Sequence, residues 1–418
     1  MVKNIWRGFL AQILGRQADF LLKKFQPMVV GVTGSVGKTM TKELIYTVLR
    51  EKNDTIRNEG NFNNEIGVPL SIIGLDKPQG VVDWLGFLAK VDSEIKKRKN
   101  FPAYLVLELG ADRQGDIKKL CKLVRPTIGV VTTVGASHLE YFLTMKNIVK
   151  EKRSLIESLP KHGWAILNYD DNNVLRMRTK TKAKVLTYGY KDGADLRAAN
   201  VTFDFSGTFF KLVYQGSMIP VKINNVGYPY VKASLAAIAV GLAVGMEIID
   251  IVNGLSKLGK VPGRMNFLEG ERDIMILDDT YNASPTSMLA AFDTIRALKI
   301  KKRKVAILGS MWELGKEEEK GHIEVGKMAG KIFDEVVLLE KNSNFYEKGL
   351  LQSKIAREKI HLFSTIDVLL DHIENIVLPG DFLFLKGSRS KNHLEKVVKL
   401  FMREKSQAEK LLVAHGKD

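Results

Sequence analysis

Short β-branched runs alternate with longer segments of helical periodicity through most of this chain. Met28 to Val32, Tyr104 to Leu107 and Ile128 to Thr132 have strand length, and each leads into a segment whose apolar residues recur every three or four positions. Over residues 27–260 this predicts an α/β unit, a mostly parallel sheet covered by helices. Between Ala183 and Ile223 the pattern turns antiparallel, with Val201 to Phe205 and Thr208 to Tyr214 around Ser206-Gly207, which reads as a β insertion. After Val261-Pro262-Gly263 a second series begins with Ile274 to Leu277, Val305 to Leu308, Glu335 to Leu339 and Phe382 to Leu385. Residues 261–418 are therefore expected to form a separate, Rossmann-like doubly wound domain.

Ahead of both units, residues 1–26 carry an amphipathic helix. Ile5, Trp6, Phe9, Leu10, Ile13, Leu14, Leu21, Leu22 and Phe25 share its apolar stripe, while Arg7, Arg16, Lys23 and Lys24 fall mostly elsewhere. Such a helix either packs on its own globular body or a partner, or lies on an anionic membrane surface.

Composition narrows the picture only slightly. The 418 residues exceed one ordinary core, and 45% hydrophobic content supports full folding. One cysteine, Cys121, excludes an internal disulfide framework. No apolar run is long enough to span a bilayer and no signal-peptide pattern opens the chain, so the expectation is cytoplasmic, with possible peripheral membrane contact. The net charge of +17 favours anionic partners without choosing among them. No nucleic-acid reading module accompanies it, and no nucleic-acid partner is expected.

The strongest chemical signal follows the first strand. Gly34-Ser35-Val36-Gly37-Lys38-Thr39 is a glycine-rich loop leading into a helix over Met40 to Leu49. Glycines let backbone N–H groups converge on phosphate oxygens, the helix N-terminus adds partial positive charge, and Lys38 neutralises the outer phosphates. Thr39 offers a hydroxyl to Mg²⁺. Val32 stands where the strict phosphate-loop pattern has its first glycine, and no Asn-Lys-x-Asp guanine reader occurs, so ATP is the expected nucleotide.

Further side chains fall at the same sheet edge. Glu108 closes the Tyr104 to Leu107 strand, where a carboxylate reaches a metal bridging the outer phosphates. His138 follows the Ile128 to Thr132 strand within Thr133-Val134-Gly135-Ala136-Ser137-His138. In the next helix, Ile148, Val149, Leu155, Ile156 and Leu159 form an apolar face, and Lys152 falls near its middle. A lysine there either snorkels to solvent or is neutralised, and one neutral route is reaction with CO₂ to a metal-binding carbamate.

Taken together these blocks resemble the Mur ligase family. The phosphate loop, Asn61-Phe62-Asn63-Asn64-Glu65-Ile66-Gly67, Leu107-Glu108-Leu109-Gly110-Ala111 and Gly135-Ala136-Ser137-His138-Leu139-Glu140 follow the family's order. The interval from His138 to Lys152 matches the family's metal-ligand histidine and carbamylated lysine, which favours the carbamate reading. Pro262-Gly263-Arg264 is similar to the hinge whose arginine reaches ATP phosphates. Asp278-Asp279-Thr280-Tyr281-Asn282-Ala283-Ser284-Pro285 resembles a nucleotide-binding block, with Asp279 at the ribose position. Glu313-Leu314-Gly315 and Lys386-Gly387-Ser388-Arg389 match further blocks.

The resemblance implies ATP and Mg²⁺ as cofactors. It also implies a metal set of Thr39, Glu108, His138 and Lys152, and catalytic roles for Lys38, His138, Lys152 and Arg264. Substrate contacts are implied for Asn61, Asn64, Asn282, Lys386, Ser388 and Arg389. The expected reaction is ATP-dependent amide formation through an acyl phosphate, on a small-molecule cell-wall precursor of UDP-muramoyl-peptide type, with an amino acid or dipeptide such as D-alanyl-D-alanine as the amine. The alternatives are the same chemistry on a folate-type acceptor, or a silent ATP-binding scaffold.

Three positions depart from the family pattern. Only about 26 residues precede the first strand, where the family opens with a UDP-holding domain, so the uridine-binding surface is expected to be missing or replaced. Gly227-Tyr228-Pro229-Tyr230-Val231-Lys232-Ala233 stands in place of Gly-x-His-Asn-x-x-Asn, removing the asparagine contact to adenine. Ser310 replaces an aspartate.

Overall fold

A computed structural model describes residues 2–60, 62–75, 78, 81–136 and 139–413, apart from the side chains at 2–5, 81, 82, 85, 389 and 390. The calls on Asn61 and His138 lie outside the described residues, as does the Arg389 side chain.

The first sheet contains β1 (Met28–Thr33), β2 (Thr55–Arg57), β3 (Tyr104–Glu108), β4 (Ile128–Val131), β5 (Trp164–Asn168), β6 (Lys184–Gly189), β7 (Leu196–Asp204), β8 (Gly207–Tyr214) and β9 (Ser217–Ile223). Their order is β2-β3-β1-β4-β5-β6-β7-β8-β9. Strands β1 to β7 pair in parallel, and only β7–β8 and β8–β9 are antiparallel. The antiparallel segment expected from Ala183 onward thus begins later, and it extends the edge of the same sheet.

Alternate residues of the central strands serve opposite layers, as pleating requires. Val30, Val32, Val106 and Val130 enter a core with the helices Lys38–Leu49 and Tyr228–Ala243. Val29, Leu105, Leu107 and Val131 enter the other core, with helices Asp116–Val124 and Met145–Glu157. The N-terminal helix, Val2–Phe25, joins this second layer. Leu10, Leu14, Ala18, Leu21 and Leu22 are buried in it, and Arg125 pins the helix through Asp19 at 2.7 Å. Its apolar stripe is thus used in packing on the chain's own body, the first of the alternatives above. No helix among the described residues is long and apolar enough to cross a membrane.

The second sheet contains β10 (Asn266–Glu269), β11 (Met275–Asp278), β12 (Lys304–Gly309), β13 (Glu335–Leu339), β14 (Ile360–Phe363) and β15 (Phe382–Lys386). Its order is β10-β11-β15-β12-β13-β14, parallel except for β10. Strands β10 and β14 carry no apolar run of their own, which is why periodicity missed them.

Both sheets have a switch in strand order. In the first, the chain leaves β1 for β2 and β3 on one side and then crosses to β4 on the other. Loops at the carboxyl ends of β1, β3 and β4 therefore splay apart and leave a crevice, the usual ligand position in such sheets.

Candidate active site

The loop after β1 adopts the conformation its glycines were expected to allow. Gly34 has φ +146°, and a Cβ there would lie 2.0 Å from the Thr132 hydroxyl oxygen. Gly37, at φ +88°, starts the Lys38–Leu49 helix without any side-chain cap, so its first N–H groups remain available to an anion. The segment after β4 braces the loop. The Ser35 N–H donates to the Thr133 carbonyl at 2.6 Å, the Ser35 hydroxyl to the Gly135 carbonyl at 3.0 Å, and the Thr132 hydroxyl to the Val36 carbonyl at 2.7 Å.

Polar groups from four separate stretches converge on this loop. The Thr39 hydroxyl donates to Glu108 Oε2 at 2.9 Å, and Asn63 Nδ2 donates to Glu108 Oε1 at 3.1 Å. Arg264 Nη2 donates to the Thr39 hydroxyl at 3.3 Å. The Lys38 ammonium donates to the Ser35 carbonyl at 3.3 Å; burial lowers its pKa, and the Glu108 carboxylate opposes that shift.

Lys152 is only 2% exposed, so it does not snorkel. Burial, and then repulsion from Lys38, push its pKa down to about 7, while Glu151, Asp112 and Glu108 oppose the shift. The same influences place Lys38, Lys152, Glu108 and Asp112 in one electrostatic neighbourhood. Glu151 beside it is also buried and accepts from the Gly115 and Ile117 N–H groups, holding the start of the Asp116–Val124 helix.

The linker between the sheets is fixed to both sides. The Tyr230 hydroxyl donates to the Arg264 carbonyl at 2.9 Å, and the Tyr281 N–H donates to the Gly263 carbonyl at 3.1 Å. The Arg264 guanidinium lies 3.9 Å from the Tyr281 ring centroid. Arginine stacked on a ring keeps its N–H groups free in the ring plane, and here one of them reaches the phosphate loop.

The remaining substrate candidates divide. Lys386 and Asp279, both buried, form an ion pair at 2.5 Å, and Lys386 also donates to the Asn282 carbonyl at 2.8 Å. Ser388 is buried, its N–H donates to Asn392, and its hydroxyl accepts from the Trp312 N–H at 3.4 Å. Asn64 is occupied locally, its Oδ1 accepting from the Ile66 and Gly67 N–H groups where the Gly67–Ile73 helix begins. Ser310 is buried between the Leu339 carbonyl and the Asn342 N–H. Asn63 and Asp112 were missed. Both sit in quoted blocks or beside one, but nothing in spacing separates Asn63 from its neighbours Asn61 and Asn64.

Next to the phosphate loop lies a cavity of about 620 Å³, whose walls include Val36 and Gly37, Tyr190 and Tyr228, and Thr286 and Ala290 from the second unit. A loop suited to phosphates, a buried carboxylate with a half-buried hydroxyl beside it suited to a hard cation, and an arginine from the linker to a second α/β unit define a two-lobed nucleotide-dependent enzyme.

Comparison with known proteins agrees. The description Mur ligase middle domain matches residues 32–241, and Mur ligase, glutamate ligase domain matches residues 263–389. The chain belongs to the Mur ligase family, and it is an ATP-dependent, ADP-forming ligase. UDP-N-acetylmuramoyl-tripeptide D-alanyl-D-alanine ligase of Bacillus subtilis is 30% identical over 390 residues, covering 92% of this chain and 78% of the relative. The MurF ligase of Thermotoga maritima, solved in complex with ADP, superposes with TM-score 0.78 at 29% identity, covering 96% of this chain and 84% of that one. MurF from Acinetobacter baumannii gives TM-score 0.79 at 28% identity, covering 92% and 79%.

Proposed function

We propose that this enzyme joins D-alanyl-D-alanine to a UDP-muramoyl-peptide type acceptor. The observation that carries the reading is the convergence of Lys38, Thr39, Glu108, Lys152 and Arg264 at one sheet edge. Phosphoryl transfer asks little of a protein beyond positioning and charge. The acceptor carboxylate attacks the γ-phosphorus, ADP leaves, and an acyl phosphate remains. The amine then attacks the acyl carbon, loses a proton, and displaces inorganic phosphate to leave the amide.

Lys38 and Arg264 neutralise the oxygens of the transferring group. The hydroxyl of Thr39 and the carboxylate of Glu108 are oxygen donors that fit Mg²⁺, with His138 and a Lys152 carbamate completing the set. Among the described residues no three His, Cys, Asp or Glu side chains converge on one point, so the fit rests on this mixed donor set. When bound, the ion supplies charge stabilisation to the β- and γ-phosphates. Lys386, Asn282, Ser388 and Arg389 hold the amine, Asp279 takes the ribose once its pairing with Lys386 relaxes, and residues 261–264 are the hinge between the two domains.

Mass spectrometry after incubation with ATP, Mg²⁺, D-alanyl-D-alanine and a UDP-muramoyl tripeptide should reveal the acceptor heavier by one dipeptide residue, with an equal amount of ADP. Amide product from a different acceptor only would remove the cell-wall assignment and leave the ligase chemistry. Arg264→Ala should lower kcat about 100-fold while nucleotide affinity changes only a few-fold, since its charge matters most as the phosphoryl group moves. A rise in KM at unchanged kcat would assign Arg264 to ground-state binding.

A further inference from the structure

The cavity beside the phosphate loop has aromatic walls and lacks the amide groups that ordinarily read a base. None of the described residues lining it is asparagine or glutamine. Tyr230, which stands at one expected asparagine position, is fully buried with its hydroxyl given to the Arg264 carbonyl, and Ala233 stands at the other. Three tyrosines line the space instead: Tyr188, whose hydroxyl is given to the Val131 carbonyl, and Tyr190 and Tyr228, whose rings form the aromatic wall.

Their rings are held firmly. Tyr190 and Tyr228 lie 6.0 Å apart at 85°, and Phe203 abuts the Tyr228 ring edge-on at 4.8 Å and 88°. The Tyr190 hydroxyl is committed to the Tyr228 carbonyl at 3.1 Å. Lys232 is committed too, 3.3 Å from Asp170 and 5.4 Å from the Tyr190 ring centroid. On the second unit, Asp293 and Arg296 pair with each other at 3.7 Å through largely exposed side chains. Among the wall hydroxyls, Thr132 donates to the Val36 carbonyl and Thr133 accepts from Asn168 Nδ2, while those of Tyr228, Thr41 and Thr286 can both donate and accept, so they suit a 6-amino and a 6-oxo purine alike.

We propose that this pocket holds the base against the Tyr190 and Tyr228 rings, face-on to one and edge-on to the other, and does not select adenine, so that the site accepts purine nucleoside triphosphates as a class. The inference rests on the reading of the adjacent loop as the nucleotide site. Every base presents a π-face, and stacking therefore tolerates exchange of one base for another. Strong rejection requires a fixed donor or acceptor that the wrong ligand leaves unpaired, and the charged side chains on the described walls, Lys232, Asp293 and Arg296, are paired with Asp170 or with each other.

Competition against a fluorescent ATP analogue on the full chain, with Mg²⁺ present, tests this. ATP, GTP and ITP should bind within about tenfold of one another. Tyr228→Ala and Tyr190→Ala should each weaken all three by about tenfold, leave inorganic tripolyphosphate unchanged as a control for folding, and Tyr228→Phe should retain full affinity. A preference for ATP over GTP of more than about 100-fold, or loss of affinity in Tyr228→Phe, overturns the proposal. Absence of binding by any triphosphate would instead overturn the nucleotide site itself, so the two failures are distinct.

Discussion

Replacing Lys38 by alanine should reduce phosphate release, measured with acceptor and amine present, by about 10²- to 10³-fold, the scale seen when one preorganised charge or donor is taken from a transition state. The ammonium makes one hydrogen bond, to the Ser35 carbonyl in its own loop, and burial already works against its charge. Its loss therefore costs little structure, and the thermal midpoint should stay level or rise. In the proposed mechanism, what disappears is the cation assigned to the outer phosphates, at the head of a helix with no side-chain cap. Undiminished turnover would take the loop out of the mechanism.

Lys152→Ala should be equally damaging, for a different reason. A buried lysine 2% exposed, beside a second cation, is held near pKa 7, so a substantial share of it is neutral at physiological pH. The neutral amine is the nucleophile toward CO₂: its lone pair forms the N–C bond, a C=O pair moves onto oxygen, and one N–H proton passes to water. The proposed carbamate would be an anion next to Lys38, turning the present repulsion into attraction. Formate or acetate at high concentration should partly restore the alanine variant, because a small carboxylate can occupy the vacated volume and supply the same oxygens. Lys152→Arg separates this from a purely cationic role, since guanidinium keeps the charge and forms no such carbamate. A fully active arginine variant would end the carbamate reading. The sign of the pH response follows: lowering pH below about 7 protonates the amine, and activity should fall.

Much of this site was legible because its parts are local. A glycine-rich loop between an apolar run and an amphipathic helix is specified within a dozen residues, and the structure places Gly34 and Gly37 at positive φ there. Lys152 was legible for a similar reason, since helical periodicity fixes which face a residue shares, and that face is buried. The parallel alternation of strands and helices was equally open to reading, through the hydrophobic demand that sheets covered on both faces impose.

Other features needed the tertiary structure. Asn63 reaches Glu108 across 45 positions and Arg264 reaches Thr39 across 225, and no pattern within a helix or strand encodes contacts at such separation. Asn64, adjacent to Asn63, accepts from its own loop's Gly67 N–H instead. The N-terminal helix posed the same difficulty. Its apolar stripe was plain in the sequence, but an apolar stripe is equally content with a lipid surface or a protein one, because hydrophobic burial is non-directional. The sequence determined the chemistry available and the local geometry of the phosphate loop. Only the packing of distant segments decided which groups meet, since that choice depends on strand order and core complementarity summed over the entire chain.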